Sequence, residues 1–181
     1  MRAQIRAEIA AIAPLDDLER AHIADTLAWI DSGAQLCRLA KPATPPRHLV
    51  SYCVVHDGSH VLLADHRNAL LWLPTGGHVD QGEHPRATAA RELEEELGFG
   101  APHPIGAPTM LTVSTTVGLT AGHTDVSLWY AVRATRDQAL RVDPQEFVSV
   151  RWFAFDAIPL GRCDPNLARF LQKLEGARLT P

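Results

Sequence analysis

Apolar residues recur every three or four positions at the start of the chain: Ile5, Ile9 and Ile12, then, past Pro14, Leu18, Ile23, Leu27 and Ile30. That spacing puts them on one side of a helix and Gly33 supplies a stop, so residues 1 to about 33 are predicted to be helical. The segment KPATPPRH, residues 41–48, holds too much proline for a helix or a central strand and is read as a stiff connection, with a boundary near Pro46. From Leu49 the texture changes to short β-branched and aromatic runs at 49–55, 60–65, 70–74, 110–118, 125–132 and 147–155, each a strand candidate. One strong helical pattern runs from Pro85 to Leu97 and another, NLARFLQKL, follows Asp164. Strands with helices between and after them predict an α/β fold, a mixed β-sheet packed between helices, with an N-terminal helical extension. The expected division is a helical arm and Pro-rich connection over 1–46 and the main domain over 47–181.

Composition narrows the function. Of 181 residues 46% are apolar and 21% charged, which suits one folded domain with a small appendage and excludes a disordered chain. A net charge of -4 argues against duplex nucleic acid as a partner, since that binding runs on counterion release by lysine and arginine. Cys37, Cys53 and Cys163 are widely spaced and form no C-x-x-C pair, so a reducing, cytoplasmic setting is expected. The N-terminus lacks an apolar signal core and no window approaches a membrane span; a soluble chain is expected, with no membrane partner.

The chemistry concentrates in GGHVDQGEHPRATAARELEEELGFG, Gly76 to Gly100, which reads as loop, helix and stop. Pro85 suits a first helical turn and Gly98 the left-handed position after the last. Ala90, Leu93 and Leu97 are expected to form the buried stripe, and Glu92, Glu95 and Glu96 to share a different face. Two like charges about 4 Å apart cost ~1 kcal/mol in bulk water and several times more near a low-dielectric surface. Arg91 offsets part of this; a hard divalent cation with oxygen ligands offsets more. A bare E-x-x-E-E is by itself usually a solvated acidic face.

The surrounding residues decide between these readings. Gly77, Glu83, Arg91, Glu92, Leu93, Glu95, Glu96, Gly98 and Phe99 fill every constrained position of Gly-x5-Glu-x7-Arg-Glu-U-x-Glu-Glu-x-Gly-U, where U is bulky and apolar. This is the signature of the Nudix hydrolases, and the strand order from about Leu49 to Phe155 also resembles that family's α/β/α sandwich. The resemblance implies a Mg2+-dependent hydrolase, with Mn2+ as a substitute, acting on the pyrophosphate linkage of a nucleoside diphosphate derivative. The substrate expected first is a nucleoside triphosphate cleaved to monophosphate and pyrophosphate. It implies that Glu92, Glu95, Glu96 and the carbonyl of Gly77 hold the metal, that Glu83, Arg91 and Gly98 are structural parts of the box, and that Glu146, six residues before Trp152, is a further ligand or the general base.

Arg67, His78, His123 and Asp125 are expected to contact substrate, and Tyr52, Trp72 or Trp129 to stack on a base. The alternatives are an ADP-ribose or nucleotide-sugar pyrophosphatase, a noncatalytic nucleotide sensor, and isopentenyl-diphosphate isomerase, which shares the fold and is suggested by Cys53. Because an amphipathic arm needs an apolar partner, a homodimer is expected.

Overall fold

The computed structural model describes residues 1–41, 43–116 and 122–179. Two N-terminal helices, α1 (Arg2–Ala10) and α2 (Asp17–Asp31), precede four strands: β1 (Arg47–His56), β2 (His60–His66), β3 (Leu71–Leu73) and β4 (Thr75–His78). Helix α3 (Pro85–Leu97), strands β5 (Met110–Thr115), β6 (Thr124–Arg133) and β7 (Phe147–Ala154), and helix α4 (Leu167–Leu179) complete the chain.

Strand β1 is buried along nearly its whole length, as expected of a central strand covered on both faces. It pairs in parallel with β6 from Arg47↔Thr124 to His56↔Arg133, and antiparallel with β4 over Val50–Cys53 and with β2 at His56↔Val61. β5 lies antiparallel to β6, while β2 also carries β3 and β7. The sheet is therefore mixed and holds seven strands. β4 was not among the predicted strands: its Thr-Gly-Gly-His sequence has little strand propensity, and it is extended because β1 offers it four residues of pairing. The predicted run 110–118 ends as a strand at Thr115; Val117 and Gly118 lie outside the described residues.

Alternation sorts the core into two layers. Leu49, Cys53, Val55, Leu62, Val126, Leu128 and Tyr130 face α1, α2 and α3, whereas Val54, Val61, Leu63 and Trp129 face Leu167, Phe170, Leu171 and Leu174 of α4. The result is an α/β/α sandwich. Ile5, Ile9, Ile12 and Ile30 belong to the first layer, so the arm's apolar stripe finds its partner within the chain. In α2 the inward row is Glu19, Ile23, Thr26 and Ile30, while Leu18 is exposed; the buried arc lies one residue round from the one the leucine suggests.

Helix α3 has its predicted ends. Pro85 stands in its first turn and Gly98 closes it at φ 73°, a left-handed backbone that glycine adopts without penalty. Its buried face differs from the expected one: Thr88, Ala89, Leu93, Glu96 and Leu97 are inside, and Ala90 is exposed. At 100° per residue Ala89, Glu96 and Leu97 bracket Leu93, whereas Ala90 falls at the edge of that arc. One carboxylate of the acidic cluster thereby becomes an interior group.

Candidate active site

Pairing β4 with β1 sets Gly76 and Gly77 beside α3. A Cβ at Gly76 would stand 2.2 Å from the Ser51 carbonyl oxygen, and one at Gly77 would stand 2.1 Å from Glu92 Oε1. The neighbour is fixed backbone in the first case and the end of a side chain in the second. Gly76→Ala should accordingly cost about 1–3 kcal/mol or more by overpacking. Gly77→Ala should leave more stability and displace the Glu92 carboxylate. Urea unfolding of both variants checks this, and equal losses would refute it.

Arg91 organises the acidic cluster. Its Nε and Nη2 donate to Glu83 Oε1 and Oε2 at 3.1 and 3.2 Å, its Nη1 donates to Glu92 Oε1 at 2.8 Å and Glu95 Oε2 at 3.0 Å, and Nη2 reaches the His78 carbonyl at 3.4 Å. Glu83 also accepts from the Thr88 hydroxyl at 2.7 Å and the Asp80 amide at 3.3 Å, so the loop after β4 is tied to the side of α3. Glu95 keeps 59% of its side chain in water, while Glu96 is 4% exposed and accepts only the Gly76 N–H, at 3.1 Å, among its hydrogen bonds to described residues. Burial, then the nearby Glu92 and Glu146 carboxylates, pushes Glu96 up to about 9, with the Gly76 amide pulling the other way. Glu92 is raised as well, by burial above all, against the pull of Arg91.

These groups line a cavity of about 640 Å3 that includes Gly76, Gly77, Glu92, Glu96 and Glu146. Glu146 reaches it from the loop before β7, its Oε1 3.7 Å from His66 Nε2. His78, His123, Asp125 and Tyr52 line the same cavity. Arg67 does not join them: its guanidinium is exposed and donates to the Pro144 carbonyl at 2.9 Å, while its amide bonds the Glu146 carbonyl at 3.0 Å. It braces the loop that carries Glu146.

Of the aromatics, Trp129 is fully buried, stacked on Phe170 and bonded through Nε1 to Thr112, and Trp72 packs edge-on against Phe153 in the core. Tyr52 alone of the three lines the cavity. Asp164, at the entry to α4, also lines it, and its carboxyl is raised by burial. Sequence reading passed over both Asp164 and His48, the latter fully buried beside His78 and His123; neither sits in a motif, and only the register of β1 on β4 and β6 brings His48 to the cluster. Cys53 is fully buried under the helices, its thiol pushed up to about 12 by burial first and Glu96 second.

A mixed sheet thus carries an acidic helix laid against a glycine pair, all opening on one cavity. The chain matches the NUDIX domain over residues 46–174; it belongs to the NUDIX family and is an enzyme of that family's pyrophosphohydrolase class. Its fold is similar to that of a MutT NUDIX hydrolase from Burkholderia pseudomallei (24% identity, 71% of this chain and 98% of that one, TM-score 0.57). It is also similar to a MutT protein from Methanosarcina mazei Go1 (16%, 75% and 97%, TM-score 0.61) and to a C. elegans Ap4A hydrolase (17%, 72% and 96%, TM-score 0.59). No curated protein matches the chain.

Proposed function

We propose that the chain hydrolyses the pyrophosphate linkage of a nucleoside diphosphate derivative, with nucleoside triphosphates cleaved to monophosphate and pyrophosphate as the leading substrates. The observation that carries this is the buried Glu96 carboxyl, held by the Gly76 amide and crowded by Glu92 and Glu146 in the wall of one cavity. The likeness to MutT proteins and to an Ap4A hydrolase supports a nucleotide substrate.

The donor set tests what cation fits. Glu92, Glu95, Glu96 and the Gly77 carbonyl offer oxygen only, which matches a hard ion such as Mg2+, with Mn2+ as a substitute. A buried carboxyl with so high an affinity for protons is in want of a positive neighbour. A divalent cation bound there neutralises phosphate oxygens and makes the attacked phosphorus more electrophilic.

The remaining work falls to the chain. Arg91 holds Glu83, Glu92 and Glu95 through one guanidinium and keeps the loop on the helix. Glu146, with 43% of its side chain exposed, has the access needed to take a proton from water, and Tyr52 offers the cavity's aromatic face to a base. The three thiols are free, in keeping with a cytoplasmic setting, and no helix among the described residues is long and apolar enough to cross a membrane. Dimerisation loses the reason first given for it, because the arm's isoleucines are covered by this chain's own sheet. The isomerase alternative loses its thiol, because Cys53 faces the core.

The test is a panel of nucleoside triphosphates, ADP-ribose, sugar nucleotides and dinucleoside polyphosphates with Mg2+ or Mn2+, read by the product pair. Monophosphate and pyrophosphate from a triphosphate are expected, with turnover abolished by EDTA and restored by Mg2+. Nucleotide binding without hydrolysis makes the chain a sensor, and full turnover in EDTA overturns the reading.

A further inference from the structure

We propose that His48, His78, His123 and Asp125 form a second metal site, for a borderline cation of the Zn2+ type, separate from the carboxylate cluster. The sheet register builds it. His48 pairs with Asp125 across β1 and β6, and Val50, two residues on from His48, pairs with His78 across β1 and β4. All three side chains therefore stand on one face of the sheet, with His123 entering just ahead of β6. The ring centroids of His48 lie 4.8 Å from His78 and 5.0 Å from His123, and one donor atom from each of the four residues falls within 4.8 Å of all the others.

The hydrogen bonds around the cluster turn donor atoms inward. His48 Nδ1 lies 2.8 Å from the Pro45 carbonyl oxygen, which only accepts, so Nδ1 carries a proton and Nε2 is the atom turned into the cluster. His123 is oriented by the Thr116 hydroxyl, whose Oγ1 lies 3.1 Å from its Nδ1. Such outer partners orient the imidazoles that ligate metals. Both Nε2 atoms then face Asp125 Oδ1, at 3.4 and 3.3 Å. These three atoms are buried and have no hydrogen-bond partner among the described residues, with His48 wholly enclosed and His123 at 6% exposure. Buried acceptors aimed at one another repel unless a proton or a cation stands between them.

The spacing suits a metal. Tetrahedral Zn2+ with bonds of about 2.0–2.1 Å has ligand atoms about 3.3 Å apart, which matches the two distances to Asp125 Oδ1. Three imidazoles and one carboxylate complete four-coordination and select a borderline ion over Mg2+. Arg38 is the competing group, its Nη1 3.3 Å from His78 Nε2. Bound there, the ion pins the start of β1, the end of β4 and the start of β6 together, and fixes His78 one residue from Gly77.

The test uses the full chain, without nucleotide. Zn2+ is titrated calorimetrically in excess Mg2+, and Co2+ is used as a spectroscopic probe. One equivalent of Zn2+, with the intense visible absorption of four-coordinate Co2+, is expected. His48→Gln and His123→Gln should each weaken binding by more than the roughly 10- to 100-fold that loss of an outer partner costs, and Glu96→Gln should leave it intact. Absence of Zn2+ binding by the folded wild-type chain overturns the proposal, and the cluster then holds a proton only. So does binding lost in Glu96→Gln and kept in His48→Gln. The wild-type titration decides even where a variant fails to fold, and no arm depends on hydrolysis.

Discussion

Glu96→Gln should lower kcat by about 10^3-fold while the chain stays folded. The amide has the carboxyl's volume, and its oxygen still accepts the Gly76 N–H that meets Glu96 Oε2 at 3.1 Å, so the β4–α3 junction keeps its geometry. The charge is what disappears. An anionic oxygen facing a bound cation and a phosphate is worth several kcal/mol in a dry site, and each 1.36 kcal/mol is a factor of ten in rate. Glu146→Gln is the paired measurement: loss of a general base costs about 10^2- to 10^4-fold, and an unchanged kcat removes Glu146 from the machinery. Thermal melts alongside kcat in saturating Mg2+ separate lost chemistry from lost fold. A Glu96→Gln enzyme with wild-type kcat would sink the assignment of this carboxylate.

The box was legible because its constraints are local. Loop length, Pro85 and Gly98 delimit α3 from sequence alone, and the ends of that helix fall where the pattern puts them. Apolar, β-branched or aromatic runs announce the other strands, so six of the seven were visible. What escaped depends on pairing between distant segments. β4 exists because β1 extends it, and Glu96 is interior because the sheet lies against Ala89 rather than Ala90. His48 reads as the end of a proline-rich connection, and only the parallel register with β6 sets it opposite Asp125. Arg67, expected to contact substrate, donates to the Pro144 carbonyl, 77 residues away in sequence.

The same long-range blindness hides the interaction with the largest expected effect on stability. Glu19→Ala should destabilise the chain by about 3–5 kcal/mol, the usual cost of leaving one partner of a buried ion pair behind. Glu19 is 0% exposed in α2. Its Oε1 accepts from Lys173 Nζ at 2.6 Å and from the Leu111 amide at 3.2 Å, and its Oε2 accepts from the Leu15 amide at 2.7 Å. One carboxylate thus joins α2 to β5 and α4, and Arg169 reinforces the junction with two bonds to Asp16, the cap of α2. Truncation leaves a nearly buried ammonium and two backbone donors unanswered, each donor costing about 1–3 kcal/mol. Glu19→Gln keeps acceptors for the amides and should lose less, separating the charge from the hydrogen bonds. Burial already lowers the Lys173 pKa, with Glu19 opposing it, so removing Glu19 lowers it further. A lysine whose folded pKa lies below its unfolded value binds fewer protons when folded, so stability rises with pH between the two. Glu19→Ala should therefore regain part of its loss as the pH climbs toward that of free lysine. Urea unfolding at neutral and alkaline pH measures both effects, and a loss under 1 kcal/mol, or one that grows with pH, would show that the pair does not hold the arm to the domain.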